Sequence, residues 1–158
     1  PFCATRCGYC DFNTYTLGEL QGTTQQQYVG AVLTEINLAR GVVPHAPPLS
    51  TVFFGGGTPT LLVAQDQVLI LKALTEAFGL AVDAEVTTEA NPDSVGPEQL
   101  STLRAAGVNR ISFGMQSAAP HVLTTLDRVH TPGRVADAVA EARDRTAMDG
   151  RRQSRQTC

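Results

Sequence analysis

The sequence predicts an α/β fold in which parallel strands alternate with helices. Three observations carry this. Strand-like runs recur at Thr51-Val52-Phe53-Phe54, Glu85 to Ala90 and Arg110-Ile111-Ser112-Phe113-Gly114. Amphipathic helical stretches separate them, as parallel neighbours require of their crossovers. The chain has 158 residues, 42% hydrophobic and 17% charged, which suggests one domain with enough apolar material for a core.

The elements follow in order. Residues 23–40 read as a helix capped by Thr23 or Thr24, with Val29, Val32, Leu33 and Ile36 at i, i+3, i+4 and i+7. Gly41 stands where a C-terminal glycine belongs. A Pro-rich loop over 43–49 leads to the first strand, which runs straight into Gly55-Gly56-Gly57-Thr58-Pro59-Thr60. A helix over 64–78 should turn Val68, Leu71, Leu74 and Phe78 inward and end at Gly79. The second strand stops at Asn91-Pro92. Pro97 opens a helix to Ala106, closed by Gly107. After the third strand come Met115-Gln116-Ser117, a short helix around 120–127, and a last helix starting at Thr131-Pro132 with Val135, Val139 and Ala142 inward.

That helix should feed a further strand, but the pattern ends there. Residues 146–158 lack apolar periodicity and read as a disordered basic tail or a segment in a shifted frame, leaving 1–145 as the structured part. The chain starts without Met or a secretory leader and has no apolar run near the roughly 18 residues of a membrane helix. A net charge of −3 gives no reason to expect nucleic acid, and membrane association is not indicated. The expected compartment is the cytoplasm, where closely spaced cysteines more often bind metal than form disulfides.

Cys3-Ala4-Thr5-Arg6-Cys7-Gly8-Tyr9-Cys10 has the spacing C-x3-C-x2-C. Cubane iron–sulfur clusters are held by cysteine thiolates. Three local thiols would ligate three irons of a 4Fe–4S cluster and leave the fourth open to a small molecule. Structural zinc is a competing reading, but it wants four ligands, and the remaining cysteine, Cys158, lies in the tail. A disulfide framework, or three structural cysteines with no shared role, would also produce closely spaced thiols.

The residues around the triad carry a resemblance. Pro1-Phe2-Cys3 through Cys10-Asp11-Phe12-Asn13-Thr14-Tyr15 resembles the cluster segment of the HemW-type heme chaperones. These are radical S-adenosylmethionine (SAM) proteins related to oxygen-independent coproporphyrinogen III oxidase (HemN). Phe54 to Thr60, Glu89-Ala90-Asn91-Pro92, Arg110 to Ser117 and Arg128-Val129-His130 match further family elements in order, so the resemblance covers nearly all of 1–145. It implies a partial, incomplete (β/α)6 radical SAM barrel, with Cys3, Cys7 and Cys10 on the cluster. Gly56, Gly57 and Thr58 would meet the amino group of SAM, a tight turn being the plainer reading of the same glycines. Glu89 would accept from the ribose hydroxyls rather than being a solvated carboxylate. Gln116 and Arg128 match residues that contact SAM, whereas Arg128 could instead pair with Asp127 or a helix end. Tyr9 matches an aromatic whose neighbourhood packs against the adenine. His130 could by residue type be an iron or heme ligand but reads as a capping or hydrogen-bonding residue, and His45 and His121 read as exposed.

Coproporphyrinogen-oxidising relatives typically carry another Cys two residues after the third cluster Cys, where this chain has Phe12. The resemblance therefore favours heme binding and transfer, with heme as cargo, SAM and the cluster as cofactors and a separate electron donor protein. The competing activity is oxidative decarboxylation of two porphyrinogen propionates to vinyls, starting with abstraction of a propionate β-hydrogen. A third reading is an inactive fragment, since the motifs account for only three strands of the barrel. No catalytic residue is assigned, and neither oligomeric state nor the donor's identity is legible.

Overall fold

The computed structural model describes residues 1–16, 18–19, 22–131 and 133–147. Strands β3 (Leu49–Phe54), β4 (Leu80–Ala90) and β5 (Arg110–Phe113) form a parallel sheet in the order β3-β4-β5. Helices α1 (Gln25–Val42), α2 (Ala64–Phe78), α3 (Pro97–Ala105), α4 (Pro120–Thr125) and α5 (Arg134–Ala147) alternate with them. The sheet is open and does not close into a barrel among the described residues. Two short strands that sequence periodicity does not signal, β1 (Phe2–Cys3) and β2 (Tyr15–Thr16), pair in parallel with Phe2 opposite Tyr15 and Cys3 opposite Thr16.

Strand alternation and register assign the two faces of the main sheet. Val52 pairs with Val86 and Ala90 with Phe113, and Val52, Val86, Leu71, Leu103 and Val108 form a buried core beneath α2 and α3. A second core joins Phe2, Val29, Ile36, Leu62 and Ile70 between β1, α1 and α2. Ala90, Val95 and Leu100 pack with Ala142 of α5 in a third. The opposite face carries Phe53, Thr87, Glu89, Arg110 and Ser112 and, among the described residues, no helix; Phe53 there is 60% exposed.

Local chemistry fixes the ends of the elements. Thr24 caps α1 in a reciprocal box: its Oγ1 accepts from Gln27 N at 3.1 Å, and Gln27 Oε1 accepts from Thr24 N at 2.8 Å. The helix then runs through Gly41 to Val42 and ends on Val43 with φ −124°, so Gly41 is not its left-handed terminator. Gly79 (φ 73°) and Gly107 (φ 108°) do take that conformation, where other residues are strained. In α2 Ala64, Gln67, Ile70 and Leu71 are buried, and Leu74 and Phe78 pack against the cores as expected, so the inward face includes a glutamine and is centred away from Val68. β4 begins at Leu80, directly after Gly79 and five residues before the expected start, with a register shift against β3 between Leu49 and Thr51. Pro132 and residues 148–158, with Cys158 and most of the expected tail, lie outside the described residues; α5 starts at Arg134. Arg134 binds both oxygens of Glu141 at 2.9 Å and the carbonyl of Val95 at 2.8 Å, tying α5 to the segment before α3.

Candidate functional site

The β1–β2 pair closes the cysteine segment into a loop. Tyr15 N donates to the Pro1 carbonyl at 2.8 Å, and Phe2 is buried edge-on against Tyr28 with ring centroids 5.4 Å apart. Within the loop, Cys10 N donates to Cys7 O at 3.1 Å, and Arg6 Nη2 reaches across to Thr14 O at 2.6 Å. Glu19 braces the outgoing strand by accepting from Thr16 N at 2.7 Å and Thr16 Oγ1 at 2.9 Å. These bonds hold the Glu19 carboxyl below its usual range.

The glycine segment after β3 is pinned against this loop. Thr58 N donates to Phe2 O at 2.7 Å. A Cβ on Gly57 would collide with the Phe2 carbonyl and stand 3.1 Å from Cys3 Sγ, so only glycine admits so close an approach. From below, Gln67 (1% exposed) donates to Pro59 O at 2.9 Å and accepts from Thr88 Oγ1 at 3.0 Å. Thr60 and Ser94 hydroxyls bond at 2.5 Å, and Gln99 Nε2 donates to Thr60 O at 3.1 Å. The segment is therefore preorganised by polar bonds to its backbone and to the Thr60 hydroxyl.

Glu89, near the end of β4 and opposite Ser112, accepts from Gly56 N at 3.2 Å. Gln116 follows β5 with φ 64°, a left-handed backbone in a residue other than glycine. Arg128 follows α4 and Asp127 (φ 47°). Its guanidinium donates from Nη2 to Gly114 O at 2.7 Å and from Nη1 to Cys7 Sγ at 3.5 Å. It does not pair with Asp127. Its buried Nε has no partner among the described residues, and neither does Nδ1 of buried His130. His45 and His121 are exposed, as the sequence suggests. Burial raises the pKa of the Tyr9 hydroxyl, Cys7 adds to the rise, and Arg128 opposes it.

One cavity of about 610 Å³ collects these groups: Cys3, Cys7, Tyr9, Cys10, Gly56, Gly57, Thr58, Glu89, Gln116 and Arg128 all line it. Among the described residues no three Cys, His, Asp or Glu side chains converge as ligands of a single ion must. Cys3, Cys7 and Cys10 all lie on the wall of this cavity, and thiolates are the residue type that holds iron–sulfur clusters. The cavity next to them also offers a carboxylate, exposed glycine backbone and a guanidinium with an unused donor. This set fits a cluster and a zwitterionic nucleoside ligand side by side. Three contributors were not expected from sequence. Gln67 was detectable as a polar residue at inward helical spacing with Ala64 and Leu71, whereas Ser94 and the Arg6 bridge had no local signal.

The sequence model of the Radical SAM superfamily matches residues 1–147. The chain is 54% identical over 142 residues to the heme chaperone HemW of Mycobacterium tuberculosis (strain ATCC 25618 / H37Rv), covering 90% of this chain and 36% of that protein. It is 40% identical to the mitochondrial radical S-adenosyl methionine domain-containing protein 1 of Mus musculus, over 90% of this chain and 31% of the relative. The structure of coproporphyrinogen III oxidase (HemN) from Escherichia coli, described as a radical SAM enzyme, superposes with a TM-score of 0.75 at 29% identity. That match covers 91% of this chain and 32% of the oxidase. The chain thus spans about a third of the length of these relatives.

Proposed function

The chain belongs to the radical SAM superfamily, and from that premise we propose that it holds a 4Fe–4S cluster, binds SAM beside it and serves in heme binding and transfer. Cys3, Cys7 and Cys10 are the proposed ligands, and the fourth iron is left for SAM. When bound, the cluster supplies the electron that cleaves a carbon–sulfur bond of SAM. The chain's own residues bind and orient. Gly56, Gly57 and Thr58 present backbone groups to the amino group, and Arg128 offers donors to the carboxylate. Glu89 accepts from the ribose hydroxyls, and Gln116 supplies an amide able to donate and accept. Tyr9 lies where the adenine would pack. Cysteines that serve as cluster ligands suit a reducing compartment such as the cytoplasm, and no described helix is long and apolar enough to cross a membrane.

The observation that carries heme transfer over porphyrinogen oxidation is Phe12. It is 63% exposed and lines the cavity where the oxidases typically place a further cysteine. The 54% identity to a protein named a heme chaperone points the same way. The likeness to HemN supports oxidation as the second reading. Incubating the reconstituted protein with coproporphyrinogen III, SAM and a reductant separates them. Heme transfer predicts stable heme uptake, seen as a Soret band, and no protoporphyrinogen; accumulation of protoporphyrinogen would establish the oxidase instead.

A further inference from the structure

We propose that Arg128 tunes the reduction potential of the cluster through a hydrogen bond to the sulfur of Cys7, in addition to any contact with SAM; this rests on the reading of Cys7 as a cluster ligand. Arg128 Nη1 lies 3.5 Å from Cys7 Sγ, across 121 positions of sequence. Three features aim it there. Nη2 is anchored on Gly114 O at 2.7 Å, and a Cβ at Gly114 would stand 3.0 Å from that nitrogen, so glycine leaves room for the guanidinium. Gly8 N donates to Leu126 O at 3.0 Å, fastening the residue after Cys7 to the end of α4. Arg128 N donates to Leu123 O at 2.9 Å, and Asp127 at φ 47° turns the chain toward the cysteine loop.

A cation donating to a ligating thiolate stabilises the more negative, reduced cluster, and hydrogen bonds to the sulfurs are among the determinants of cluster potential. The half-buried site screens the charge less than open water does. Lysine cannot replace the interaction fully, because one ammonium lacks the planar fork that serves Gly114 O and Cys7 Sγ together.

The test is an anaerobic redox titration followed by electron paramagnetic resonance on the reconstituted chain, with iron and sulfide measured for each sample. Arg128→Gln should shift the midpoint to a more negative potential than wild type, and Arg128→Lys should fall between them. Gly114→Ala should shift it the same way with Arg128 still present, by displacing the guanidinium. If Arg128→Gln fails to hold a cluster, the other two variants decide. Midpoints equal to wild type would overturn the proposal. A wild-type chain that takes up no cluster would instead refute the ligand reading beneath it.

Discussion

Gln116 adopts a left-handed backbone, φ 64°, beside the cavity, and such a conformation costs a residue other than glycine about 1–3 kcal/mol. The strain places a side-chain amide on the cavity wall. Gln116→Gly should therefore stabilise the ligand-free chain by about 1 kcal/mol. The same change should weaken SAM binding about fivefold, the equivalent of one hydrogen bond. Thermal melts and calorimetric titration read the two effects separately. Loss of both stability and affinity would show that the backbone is supported by something other than the site. At this scale the candidate residues were legible because each sits in a short motif. Their mutual contacts were not. Arg128 and Cys7 are 121 positions apart, and only the fold shows that the guanidinium meets a sulfur rather than Asp127.

The elements differ in what they do for the site. Gln67 of α2 is buried and bridges Thr88 of β4 to Pro59, just past the glycine segment. Gln67→Leu removes the donor to Pro59 O and leaves Thr88 Oγ1 only a 3.4 Å bond to Glu89 O, and should cost about 1–3 kcal/mol while also weakening SAM binding. Thr24→Ala removes the α1 cap and should cost about 1 kcal/mol with SAM affinity unchanged. Equal effects of the two on affinity would detach Gln67 from the glycine segment. The cysteine loop adds a pH-dependent element. Thr16 holds the Glu19 carboxyl below its ordinary pKa, so the carboxylate's contribution is complete above the unfolded glutamate range. It is lost as pH falls through the depressed folded value. Glu19→Gln should lower the melting temperature at neutral pH, and the gap should close below that value; a pH-independent gap would contradict the assignment. Helices and the main strands were legible from periodicity and glycine punctuation. The pair β1–β2 was not, because strands of two residues carry no alternation. The early start of β4 was hidden as well, since Gly79 alone separates it from α2 and leaves no loop to mark it.

At the scale of the whole molecule, helices cover one face of the main sheet, while the other presents Phe53 and a polar group in which Arg110 Nη1 lies 3.5 Å from Glu85 Oε1. A cofactor that binds the folded chain and not the unfolded one stabilises it with the logarithm of its concentration over its dissociation constant. The cavity lies at the C-terminal ends of β3, β4 and β5, the end of a parallel sheet where open strand ends and loops converge on ligands. The three cysteines on this edge are proposed to hold a cluster with one iron left for SAM. The most direct measurement is electron paramagnetic resonance of the anaerobically reconstituted, reduced chain before and after SAM is added. The reduced chain should give a 4Fe–4S signal that changes on addition of SAM and disappears when Cys3, Cys7 or Cys10 is replaced by serine. A chain that instead binds one zinc ion, or a cluster signal indifferent to SAM, would contradict that proposal.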